Sequence, residues 1–196
     1  MRVGITENPP WTVLSGAEPS GVEVEIIKRL ADGLGAEISW FEGLEEELFG
    51  ALKLGTLDLV IGGLGAKNPY AAEASLTHPY LTTQAVVAVP RETEVPDDIA
   101  GLEVAVEEGT EEAGILLKTD AVVVLVDDIG AASGPRVVDD WLLDDLDLVD
   151  TGVTLVERDH VMAVRLGENG WLVTLERFLL DRADEIERIL DEMGAP

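Results

Sequence analysis

The sequence has no cysteine, so disulfides, thiolate nucleophiles and Cys-ligated zinc are excluded. Its only two histidines, His78 and His160, lie far apart in the chain with no partner at ligand spacing, which argues against a metal site. Basic residues are scarce. Thirteen Lys and Arg stand against 40 Asp and Glu, giving a formal charge of -27. Such a field repels a phosphate backbone, and no basic run longer than Lys28-Arg29 offsets it, so nucleic acid is not an expected partner. The longest apolar run, Ala121 to Val126, is far below the roughly 20 residues a bilayer span needs. No membrane insertion is expected. Gly-x-Ser-x-Gly and Gly-x-x-x-x-Gly-Lys are also missing, which leaves only carboxylates and histidine for catalysis and gives no reason to expect a cofactor.

What remains is a chain of 196 residues, 46% hydrophobic, able to bury the core of one domain or two small lobes. The acidic excess reads as a solubility device, suited to a salty habitat, or as a field that draws in cations. The start, Met1-Arg2-Val3-Gly4-Ile5, passes directly into a strand without a basic leader or apolar h-region. The expectation is a cytosolic protein or one whose leader has been trimmed.

Residues 3 to 6 form a strand that stops at Glu7-Asn8-Pro9-Pro10, where the prolines force an extended loop. Apolar residues at 22, 26, 27, 30, 31 and 34 recur at helical spacing, with Gly35 where a C-cap belongs. Ala36 to Phe41 reads as a strand, Glu45 to Leu54 as a helix stopped by Gly55, and Leu57 to Ile61 as a strand leading into Gly62-Gly63-Leu64-Gly65. Strands follow at Ala85 to Val89, Leu102 to Val106 and Ala121 to Val126, with a short helix at Glu111 to Leu117. Asp127 to Ser133 is expected to form a short helix, Val137-Val138 a strand, Trp141 to Leu146 a helix and Val161 to Val164 a strand. Trp171 to Leu180 and Ala183 to Met193 close the chain as helices. Alternating strands and helices imply parallel sheets with helical crossovers, and in such sheets ligands sit beyond the carboxyl ends of the strands. That singles out the loops Glu7 to Trp11, Phe41 to Glu45 and Gly62 to Tyr70.

Four phrases carry a resemblance: Arg2 to Glu7 with Pro9-Pro10-Trp11; Gly21-Val22-Glu23-Val24-Glu25; Ala51 to Ile61; and Leu76-Thr77-His78-Pro79-Tyr80. Together with Gly101 to Thr110 they resemble the extracellular solute-binding proteins of family 3, the type II periplasmic receptors of amino-acid-type ABC importers. The resemblance implies an α/β fold of two lobes, each a mostly parallel sheet flanked by helices, joined by two crossover strands. The expected first lobe is discontinuous, 1–85 plus 165–196, the second spans 90–161, and the hinges fall at 85–89 and 162–165. It also implies a small-molecule ligand held between the lobes, an ABC permease as partner, a monomer, and a periplasmic or extracellular location, with the cytoplasm kept open.

Carried over by position, the ligand contacts implied are Glu7, Trp11, Gly63, Gly65, Lys67 and Tyr70 from the first lobe, and Gly109, Thr110, Asp139 and Asp140 from the second. Trp11 offers a flat face, the glycines close backbone approach, and Gly109-Thr110 free N–H groups at a helix start. Asp139 and Asp140 would receive an ammonium group. Amino-acid-binding members place a threonine and then an arginine after the strand of the Asp-Leu motif; here Gly65 and Tyr70 stand there, with Lys67 as the nearest cation. That departure tilts the expected ligand toward a cationic or neutral polar molecule. Each residue also has a structural use. Trp11 would be a lid over the lobe core, Gly63 and Gly65 strand terminators, Thr110 an N-cap and Asp140 a helix cap, while Trp40, Trp141, Trp171 and Phe178 serve packing. Two other functions stay open, a ligand-sensing or degenerate binding module and a cyclohexadienyl-dehydratase-like lyase.

Overall fold

A computed structural model describes residues 1–193, so the final residues of the expected first lobe, 194–196, lie outside the described residues. In chain order the strands and helices are β1 (Arg2–Ile5), α1 (Val22–Leu34), β2 (Ser39–Glu42), α2 (Glu45–Lys53), β3 (Leu59–Gly65), β4 (Ala74–Leu76) and β5 (Leu81–Pro90). They continue with β6 (Glu103–Glu107), α3 (Glu111–Leu116), β7 (Val122–Val126), β8 (Arg136–Asp139), β9 (Leu148–Arg165), α4 (Asn169–Leu180) and α5 (Ala183–Met193). The chain divides into two compact units, one made of residues 1–82 and the described residues from 159 onward, the other of residues 83–158. It leaves the first unit within β5 and returns to it within β9.

In the first unit β1 runs parallel to both β2 and β3, and β3 pairs antiparallel with the end of β9, on whose other side β4 lies. Val3, Ile5, Leu59, Val60 and Ile61 are fully buried, which is why these short segments read as apolar strands. α1 turns Val22, Val24, Ile26, Ile27, Leu30 and Ala31 inward and ends on Gly35 at φ 64°, whose N–H returns to Ala31 and Asp32 carbonyls. Ile186, Ile189 and Leu190 of α5 are buried as well, and Arg29 of α1 is paired with Glu185. A second cluster, Leu48, Phe49, Leu52, Leu57, Leu64 and Val161, seats α2.

In the second unit the order is β5-β8-β6-β7, with β8 antiparallel to β5 and β6 parallel to both β8 and β7. α3 places Ala113 and Leu116 on Val87, Val104, Val106 and Val137, while Ile129, Leu143 and Leu146 cover Ala88, Val138 and Leu148.

Four sequence expectations change. Pro9-Pro10 does not sit in an extended loop: residues 8 to 12 close into a tight turn, with Asn8 and Thr12 exchanging backbone bonds of 2.9 and 3.0 Å. Its carbonyls are needed at α1, which starts on Gly21 without a side-chain cap, so Val22 and Glu23 donate their N–H groups to Pro10 and Trp11 instead. Gly62 to Gly65 belong to β3 rather than to a loop. Asp127 to Ser133 is not helical, because the Asp128 carboxylate accepts the Gly130 N–H at 2.9 Å and that local turn competes with a helix. The segment from Trp141 shrinks to a 3-10 turn at Asp140–Leu142.

Candidate functional site

The carboxyl ends of β1 and β3 lie side by side because those strands are parallel, and the first unit gathers its candidate residues there. The register of β3 against β9 shifts between Val60 and Leu64, at Gly62 (φ 151°) and Gly63 (φ 65°). A bulge of this kind removes N–H groups from the ladder, and buried N–H groups must be bonded elsewhere. Glu23 takes both: its Oε2 accepts from Gly62 at 2.6 Å and Gly63 at 2.9 Å, and its Oε1 accepts from the Tyr80 hydroxyl at 2.6 Å. Asn8 Nδ2 donates to the Gly62 carbonyl at 2.8 Å, completing the bulge.

Glu23 is fully buried, and burial raises its carboxyl to about 7 against the opposing pull of its three donors. Sequence reasoning missed this residue. The available signal was an acid on the apolar stripe of α1, three and four residues before Ile26 and Ile27.

Trp11 is only 6% exposed and lies on His160, ring centroids 3.9 Å apart. A Cβ on Gly63 would stand 2.4 Å from Trp11 Cδ1. Gly63 therefore has no side chain because the indole occupies the space. Glu7 follows β1 and is exposed, its Oε2 accepting the Leu14 N–H at 2.7 Å. Gly65 pairs with His160 in the ladder, and Lys67 is exposed. Tyr70 follows the turn after β3. Its ring packs on Phe49 of α2, centroids 5.5 Å apart, which gives it a core-packing role.

In the second unit, β6 and β8 are parallel neighbours, so the residues after their carboxyl ends are brought together. Gly109 has φ 82°, and Thr110 is the N-cap of α3, its Oγ1 accepting the Ala113 N–H at 3.2 Å and donating to the Glu107 carbonyl at 2.8 Å. Asp139 ends β8, and Asp140 Oδ1 accepts from the Trp141 N–H at 3.0 Å, a local cap on the turn it opens. Arg158, near the middle of β9, pairs with Glu112 of α3 and holds Nη1 3.7 Å from Asp139. Burial pushes the Asp139 carboxyl up to about 6; Arg158 pulls it down, and the charges of Glu112 and Asp140 push it further up. Arg158 stands far along the chain from the segment after β3, so that segment gives no sign of it.

A further cavity of about 360 Å³, lined by Arg2, Asp58, Arg165, Glu168 and Trp171 among others, opens at the amino end of β1. It lies at the wrong end for the ligand rule.

The model of the bacterial extracellular solute-binding proteins, family 3, matches residues 1–193. The chain belongs to this family. Its fold is the two-lobed type II form, mixed α/β with two strands passing between the lobes. The L-cystine solute receptor of Neisseria gonorrhoeae in its unliganded open conformation is similar at TM-score 0.79 and 16% identity, over 98% of this chain and 91% of that one. The second substrate binding domain of a putative amino acid ABC transporter from Streptococcus pneumoniae gives 0.76 and 18%, over 98% and 99%. A putative binding component of an ABC transporter from Wolinella succinogenes, complexed with lysine, gives 0.65 and 15%, over 100% and 96%. At these identities the likeness shows the fold. Among curated protein sequences none matches this chain. Family members are binding proteins that work outside the cytoplasm, and no helix of the described residues is long and apolar enough to cross a membrane.

Proposed function

We propose that this family 3 protein is a receptor for a small polar solute bearing an amino group, cationic or neutral overall, which it hands to an ABC importer outside the cytoplasm. The carrying observation is the charge balance at the carboxyl ends of β6 and β8: the Arg158 guanidinium pairs with Glu112 and stands 3.7 Å from Asp139, Glu111 acts on it as well, and Asp140 adds its charge beside Asp139. That arrangement supplies a fixed planar donor for a carboxylate and an excess of negative charge for an ammonium. Arg158 thus offers the carboxylate-binding role for which the sequence presented only Lys67. Two of the similar structures point the same way by their own descriptions, one as part of an amino acid transporter and one holding lysine.

The test is calorimetric titration and thermal shift with amino acids, polyamines, quaternary amines, sugars and small carboxylates. A ligand that binds only the folded protein raises its melting temperature by mass action. The reading expects hits among amino-bearing solutes, weakened at least about tenfold in Asp139→Asn and Arg158→Ala. Binding confined to sugars or amine-free carboxylates overturns the ligand class, and no binding by any class overturns the receptor reading in favour of a degenerate module.

A further inference from the structure

Arg158 presents a planar fork of N–H donors, yet among the described residues its only hydrogen bond runs from Nη2 to Oε1 of Glu112. Its Nη1 stops 3.7 Å from Asp139, an ion pair beyond hydrogen-bond reach. The fork is therefore engaged at a single nitrogen. Glu112 is the more covered partner, its side chain 13% exposed against 35% for Arg158.

The placement of Glu112 follows from α3. Thr110 caps that helix through the Ala113 N–H, and Ala113 and Leu116 are buried, so the backbone of Glu112 is fixed while its side chain reaches β9. Glu112 lies in the first turn of α3, where the helix dipole favours a carboxylate whether or not it holds an arginine. It can give up Arg158 without becoming an uncompensated charge. A further carboxylate could not simply be added beside it, because Glu111, Glu112 and Asp139 already act on this guanidinium and like charges in one place repel.

We infer that Glu112 is a specificity-determining residue of the receptor, an internal carboxylate that occupies Arg158 until the carboxylate of a ligand displaces it. The inference rests on the proposed amino-bearing solute. A ligand carboxylate can meet the planar fork through paired, parallel hydrogen bonds where Glu112 makes one, and that difference drives the exchange. An amine without a carboxylate has no use for Arg158 and is held by the acids alone. Glu112 therefore acts in opposite senses on the two classes: it competes with the carboxylate of an amino acid, and it adds to the field that holds a plain amine.

Lysine with cadaverine, and alanine with ethylamine, are pairs that differ only in the carboxylate, and isothermal titration of the intact chain with each pair tests this. Glu112→Gln keeps the side-chain length and an acceptor oxygen but loses the charge. Within a pair that binds, the amino acid should bind about tenfold tighter than to the wild type, and the amine more weakly. Glu112→Asp keeps the charge but withdraws it from Arg158, so it should also tighten the amino acid while changing the amine less. A cooperative thermal transition shows that each variant is folded. If a folded variant weakens the amino acid, or shifts both members of a pair alike, the inference is overturned and the ligand class stands. Binding of none of the four probes by wild type or variant overturns the ligand class and the inference with it.

Discussion

The Tyr80 hydroxyl donates to the Glu23 carboxylate over 2.6 Å, joining the residue just before β5 to the first turn of α1. The same carboxylate closes the bulge of β3 through Gly62 and Gly63, so one buried acid ties a helix, a bulged strand and the approach to a crossover strand. Burial and the adjacent charge drive the Tyr80 phenol far up, so it remains a donor at any ordinary pH.

Glu23 makes stability depend on pH. Its folded carboxyl sits near 7 and its ordinary value is 4.5, so between those values the folded protein keeps a proton that the unfolded chain releases. Stability from this group is therefore highest below about 4.5 and is lost as pH rises toward 7, by about 3 kcal/mol in all. Glu23→Gln removes the titration, can keep its oxygen on the Gly62 and Gly63 N–H groups, and turns an N–H toward the Tyr80 hydroxyl, which then accepts instead of donating. Denaturant melts from pH 4.5 to 8 should show the difference between variant and wild type growing with pH, whereas a constant difference would mean that Glu23 does not titrate in this range.

Gly63→Ala should destabilise the first unit by about 1–3 kcal/mol, since the new methyl meets the Trp11 ring and Asn8 Nδ2 at 2.7 Å with φ at 65°. Trp11 must then leave His160, and its emission should move to the red. Gly65→Ala, with open space around the Cβ position, is the control and should change neither.

Thr110→Ala should lose about 1 kcal/mol of stability by freeing the Ala113 N–H, and Thr110→Ser should recover it. If the hydroxyl also touches ligand, affinity will fall in Thr110→Ala by more than the loss of stability accounts for, measured by titration well below the melting temperature.

Affinity for an amino-bearing solute should rise with pH through about 6, where Asp139 ionises, by at most about tenfold per pH unit below that value. Asp139→Asn should bind more weakly and without that slope. Isothermal titration from pH 5 to 8 checks both, and an identical slope in the variant would assign the proton to another group.

The sequence made α1, α2, α4 and α5 legible because their apolar residues keep helical spacing, and β1, β3, β6 and β7 because they are short apolar runs. It hid the first half of β9. From 149 to 155 that half alternates Val149, Thr151, Val153 and Leu155 with the exposed Asp150, Gly152 and Thr154, so its period-2 signal is present, but no continuous apolar run of the kind that marks the other strands accompanies it. Arg158 was lost with it, since a residue not assigned to a strand cannot be placed beside Asp139. Among the tryptophans, Trp11 is the one that is deeply buried, while Trp40, Trp141 and Trp171 are half-covered. Nothing in the isolated residue types distinguishes them; the difference lies in the space that Gly63 leaves open, a tertiary fact.

The discontinuity of the first unit also orders events during synthesis. Residues 83–158 emerge as one uninterrupted stretch and can collapse as soon as they clear the ribosome, whereas the first unit waits for its missing pieces. The end of β9 must arrive before β3 has its antiparallel neighbour, and α5 before Arg29 meets Glu185. The nascent amino-terminal segment thus spends most of translation with one edge of β3 and the α5-facing side of α1 bare. The portion made first is completed last, and it is the portion for which a holding chaperone would matter most.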